Sequence, residues 1–99
     1  MRRVHTQPTV HPVHAVRVPS VLRSYTDGAA RVDAIGSTPA ELLTRLDERF
    51  PGLLFRVVDE QGRLRAHMKV FIGNDSVRDL DEAIPHGVEM TVMQALSGG

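Results

Sequence analysis

The sequence predicts an α+β domain: a mixed sheet with one main helix packed across one face. Three observations carry that prediction. Apolar residues alternate with polar ones before residue 36 and again after residue 67, a complete amphipathic helix pattern lies between them, and turn residues separate the segments. Ninety-nine residues, 41% apolar and 24% charged, fit one compact core and leave too little chain for two. One site or one face must therefore carry the function.

Residues 1–13 contain Pro8 and Pro12 and no sustained apolar period, and read as a flexible arm ahead of a domain over residues 14–96. From Ala15, Val16 and Val18, then Val21 and Leu22, alternate with Arg17 and Ser20, which is the period of a half-buried strand. Pro19 interrupts it. Lacking an N–H, it predicts a bulge or an amide that faces away from the neighbouring strand. Tyr25-Thr26-Asp27-Gly28 supplies turn chemistry with two residues able to take positive φ, and Ala30, Val32 and Ala34 then alternate with Arg31 and Asp33. The outcome is an N-terminal hairpin.

Thr38-Pro39-Ala40-Glu41 places a hydroxyl at the N-cap, proline at the first helical position and glutamate three after the cap. A helix starts there. Leu42, Leu43, Leu46 and Phe50 recur at three- and four-residue spacing, Arg45, Asp47, Glu48 and Arg49 fall largely opposite, and Pro51-Gly52 ends the helix. Residues 53–66 read as a short turn or loop. Met68, Val70 and Ile72 alternate with Lys69 and Phe71, Gly73-Asn74-Asp75 closes that strand, and Ser76-Val77-Arg78 reads as a brief edge strand. Asp81 to Pro85 forms a turn with Leu80 and Ile84 inward. After His86-Gly87, the alternation of Val88, Met90 and Val92 with Glu89, Thr91 and Met93 makes the last strand.

The order is thus two strands, a helix, a strand, a short strand and a final strand. A right-handed crossover through the helix puts the next strand into the same sheet. This is a β-grasp, or ubiquitin-like, arrangement. Val16, Val18, Val32, Leu42, Leu43, Leu46, Phe50, Val70, Ile72, Leu80, Ile84, Val88, Met90 and Val92 point inward in it.

Composition excludes several functions. Twelve basic and twelve acidic residues balance, so the long-range positive field that non-specific nucleic-acid binding needs is absent. Without cysteine there is no disulfide framework, thiolate zinc site, cysteine-ligated cluster or thiol nucleophile. Apolar runs of four or five residues cannot span a bilayer, and no apolar block follows Arg2-Arg3 to make a secretory signal; a cytoplasmic protein without a membrane partner is expected. The spacings of His5, His11 and His14 match no helical face, so no metal site is expected. Ser20, Ser24 and Ser97 lie in no nucleophile-elbow context. His67 and His86 read as solvated residues at a strand entry and a turn, and no glycine-rich phosphate cradle is present. No catalytic residue and no cofactor bound by this chain are expected.

What remains is the end of the chain, where residues 97–99 form an extended tail closing on Gly98-Gly99. Two residues without Cβ atoms pass through a channel that side chains would obstruct, and present the terminal carboxylate to another protein's active site. Phe71 and Met93, out of phase with the buried residues of their strands, face the open side of the sheet and expose an apolar patch.

From about Ala15 to Gly99 the chain resembles the MoaD/ThiS family of ubiquitin-like sulfur carriers, in element order, in the Gly87 turn before the last strand and in the terminal Gly98-Gly99. Val18-Pro19-Ser20-Val21-Leu22-Arg23, then Thr26 and Gly28, with the ending Ala95-Leu96-Ser97-Gly98-Gly99, look most like the CysO-type carriers of cysteine biosynthesis. Val88 stands where many members have Asp, and Gln94 where many have proline. The resemblance implies that a ubiquitin-activating-type adenylyltransferase uses ATP and Mg to adenylate the Gly99 carboxylate, which sulfur then converts to a thiocarboxylate. It implies a sulfur-accepting synthase as the next partner, a cysteine synthase first among the candidates, and a metallopeptidase that releases the adduct. It also makes the open sheet face the docking surface, with Phe71, Met93 and Leu96 as anchors. Alternatives within the family are the small subunit of molybdopterin synthase and the thiamin sulfur carrier. Outside it stand a ubiquitin-like modifier and a β-grasp interaction module.

Overall fold

A computed structural model describes residues 12–95. The arm proposed for residues 1–13 lies almost wholly outside them, and so does the tail after Ala95. Strand β1 spans Val13–Arg17, β2 Arg31–Ile35, β3 Met68–Ile72, β4 Asp75–Val77 and β5 Met90–Gln94; helix α1 spans Pro39–Arg49 and α2 Leu53–Val57. The five strands form one sheet in the order β2-β1-β5-β3-β4. Only β1 and β5 run parallel, in register Val16 to Met90; the other pairs are antiparallel. The expected β-grasp architecture is what the chain adopts.

Alternation decides which side of each strand meets the helix. Val16 on β1, Ala34 on β2, Met68, Val70 and Ile72 on β3, Val77 on β4, and Met90 and Val92 on β5 are buried against Leu42, Leu43 and Leu46 of α1. Leu80 and Ile84 close the core from the loop before β5, as expected, whereas Val32, Phe50 and Val88 are only partly buried at its margin. The hairpin turn uses Asp27 at φ 56° and Gly28 at φ 88°.

The start of α1 departs from the expected capping box in one detail. Thr38 Oγ1 accepts from the Glu41 N–H at 3.2 Å, but the Glu41 carboxylate reaches past the cap and accepts from the Ser37 N–H at 2.6 Å. Gly36 permits this close approach of β2 to the helix: a Cβ there would sit 2.9 Å from the Glu41 Cβ.

Four expectations need correction. The strand pattern does not run through Pro19: β1 ends at Arg17, and Pro19 leads into one turn of 3-10 helix over Ser20–Leu22. A proline without an N–H is satisfied more simply by turning the chain than by bulging a ladder. The turn inverts Val21, which is exposed, and keeps Leu22 in the core. The segment after Gly52 is a helical turn, α2, where a loop was expected. Asp47 of α1 holds its start, Oδ1 accepting from the N–H groups of Gly52 and Leu54 at 3.0 and 3.1 Å. The brief edge strand sits one residue earlier than expected, on Asp75–Val77. Finally, β1 begins at Val13 and not at Ala15, so Val13 leaves the expected arm and His14 joins the sheet. It is buried, its Nδ1–H donating to the Val88 carbonyl at 2.6 Å while Nε2 has no partner.

Candidate functional site

The site is built around the exit of β5, the central strand. Its hydrogen-bonded neighbours are β1 on one side and β3 on the other, so its direction is fixed from both sides. Beyond Gln94 the Ala95 N–H still donates to the His67 carbonyl at 2.7 Å, carrying the extended path one residue past the strand. Leu96, Gly98 and Gly99, three of the expected site residues, lie outside the described residues.

The pairing of β3 with β5 sets the open face. Phe71 lies opposite Thr91 and Lys69 opposite Met93, while Val70, Ile72, Met90 and Val92 take the helix side. Met93 is 46% exposed and Phe71 half-buried, so both face where alternation puts them, and Met93 offers the larger free surface. Beside them a groove of about 520 Å³ runs along the exit, lined by Pro19, Val21, Arg23, Met93 and Ala95 among others. Val21, 56% exposed, is an apolar element of this groove that sequence reasoning assigned to the strand pattern. The signal was Pro19 itself, once read as a turn. Arg23 is tied down by donating from Nε to the Val18 carbonyl at 3.0 Å, and Thr26 Oγ1 donates to the Ala29 carbonyl at 2.7 Å, which fixes the loop carrying Val21.

Charge is unevenly arranged on this face. Arg17 Nε donates to Glu89 at 2.9 Å, and Arg31 stands 3.6 Å from the second oxygen of the same carboxylate. Lys69 and Arg78 make no ion pair among the described residues. His67 and His86 are exposed, and among the described residues no group of three or more His, Asp or Glu side chains is placed to hold a metal. No helix among them is long and apolar enough to cross a membrane.

The β-grasp body defines the class of ubiquitin-like proteins. Comparison narrows the class. The chain is 29% identical over 89 residues to the sulfur carrier protein CysO of Mycobacterium tuberculosis, across 85% of this chain and 96% of that one. The crystal structure of that bacterium's CysO superposes with a TM-score of 0.78 at 28% identity, covering 83% of this chain and 98% of the other. A chain in the crystal structure of the Amycolatopsis orientalis BexX/CysO complex matches at 30% identity with a TM-score of 0.78, over 86% of this chain and 98% of that chain. The small archaeal modifier protein 1 of Haloferax volcanii shares the fold, with a TM-score of 0.73 at 22% identity over 86% and 99% of the two chains. No protein-family model matches the chain. The chain belongs to the MoaD/ThiS family of ubiquitin-like sulfur carriers, with CysO-type carriers among its relatives. The mycobacterial relative is a small sulfur carrier protein.

Proposed function

We propose that this protein carries sulfur on its C-terminal carboxylate and donates it in cysteine biosynthesis. A ubiquitin-activating-type adenylyltransferase, using ATP and Mg, joins the Gly99 carboxylate to AMP and releases pyrophosphate. Sulfide sulfur then attacks the acyl carbon, AMP leaves with the bonding electron pair, and the thiocarboxylate remains. The sulfur is thereby an anionic nucleophile on a folded handle. A synthase binds the handle, admits the tail and excludes water from the reacting centre. A cysteine synthase is the acceptor of choice because the relatives are named CysO, and a metallopeptidase would free the Gly-Gly end from the cysteinyl adduct.

The observation that supports this reading is the central position of β5, which brings the chain as far as Ala95 to the edge of an apolar groove. Phe71, Met93 and Leu96 serve as docking anchors. The test is the intact mass of the chain after incubation with the adenylyltransferase, ATP, Mg and sulfide. A gain equal to the mass difference between sulfur and oxygen is expected, and it should vanish on deletion of Gly98 and Gly99 while thermal melting stays unchanged. A ladder of protein conjugates with no such gain would instead identify a modifier.

A further inference from the structure

Strands β3 and β4 bring together two cations to which the described fold gives no counter-charge. Lys69 is exposed on the open face beside Met93. Arg78 follows the last paired residue of β4, Val77, which lies opposite Val70, and Lys69 and Arg78 both line a small cleft that also takes in Ser76 and Arg65. Like charges brought close at the end of a strand pair repel each other. Among the other described cations, Arg17, Arg31, Arg45 and Arg63 each have a carboxylate partner and Arg23, Arg49 and Arg65 each donate to a backbone carbonyl, so that Arg56 on α2 alone shares the unpaired state of Lys69 and Arg78. On a protein whose formal net charge is zero, Lys69 and Arg78 leave a local positive strip against the apolar surface of Phe71 and Met93.

We propose that Lys69 and Arg78 are the recognition charges read by the enzyme that activates the tail, and that this enzyme meets them with carboxylates flanking an apolar socket. The inference rests on the sulfur-carrier reading. Two arguments select the occupant. The five residues after Gln94 reach no more than about 17 Å when extended, so an enzyme holding the Gly99 carboxylate must cover the surface around Gln94, and Lys69 lies one pair away from it in the ladder. Activation also precedes every transfer, so it is the encounter at which this chain must be distinguished from others. Paired charges across an interface chiefly set encounter and partner choice.

The experiment uses the full chain and an adenylyltransferase that charges it, reading KM for the carrier and kcat separately at low and high salt. The double variant K69E/R78E should raise KM by about tenfold or more at low salt, leave kcat near that of the parent and lose the salt dependence of KM. K69Q/R78Q, which removes charge without reversing it, should fall between. R45E/R56E, on the helices and with the same change in net charge, should stay within about twofold of the parent, as general repulsion at these distances is largely screened. A KM for K69E/R78E no different from that of R45E/R56E overturns the proposal and leaves the carrier reading intact. Failure of the unaltered chain to gain sulfur with any such enzyme overturns both.

Discussion

The β1–β2 half and the β3–β4 half of the open sheet face treat their polar groups in opposite ways. In the first, Arg17 and Arg31 converge on Glu89. The free edge of β2 is covered as well: Arg49 donates to the Asp33 carbonyl at 2.6 Å, and just past the strand Glu41 accepts from the Ser37 N–H. Such covering keeps an edge strand from pairing with another chain. In the second half Lys69 and Arg78 stay unneutralised beside the exposed Met93. One half completes its interactions within the chain, so its charges serve folding. The other leaves them open, so its charges serve an encounter.

The largest effect on this division should come from the seam between the halves. His14 on β1 holds the Val88 carbonyl just before β5, and His14→Leu would leave that oxygen without its donor. A loss of about 1–3 kcal/mol is expected, read by urea denaturation, with faster amide exchange where β1 meets β5. Glu89→Gln acts on one half only. It frees Arg17 and Arg31, and because both arginines are exposed and Glu89 is only half-buried the stability change should stay under about 1 kcal/mol. Its informative readout is salt: melting of the variant should rise more with added salt than that of the parent, as two released cations are screened.

The smallest effect belongs to Asp59, in the loop ahead of β3. Its carboxylate accepts from the N–H groups of Arg63 and Gln61, each at 2.9 Å. The Arg63 bond, opposed by partial burial and aided by the Gln61 bond, holds its pKa below the ordinary carboxylate value. A depressed folded-state pKa contributes stability above the ordinary value, and this is lost as pH falls through the folded value. The parent should therefore melt slightly above Asp59→Asn at neutral pH, and the gap should close below about pH 4.

Most of the fold was legible because its signals are local. The helix start at Thr38, the leucine spacing of α1 and the alternation of β3 each lie within a dozen residues and appear where they were expected, while β5 keeps the expected alternation but begins at Met90 and not at Val88. The misses share a cause, namely a partner distant in sequence. α2 is only five residues long and depends on a carboxylate from the preceding helix, so no periodicity of its own announces it. His14 fell just ahead of the expected strand start at Ala15, because the carbonyl that justifies its burial lies 74 positions away. At the site, the outward faces of Phe71 and Met93 followed from period alone. The unneutralised pair did not, since it appears only once the turn between β3 and β4 brings Lys69 and Arg78 to one cleft.

The parallel pairing of β1 with β5 also orders events during synthesis. Because Met90 must lie beside Val16 to fill the middle of the sheet, the first strand made waits at an unfinished edge until the last has left the ribosome. A chain cut short before Gln94 thus has no completed handle to offer, and an activating enzyme that grips the body as well as the tail would pass over every truncated product.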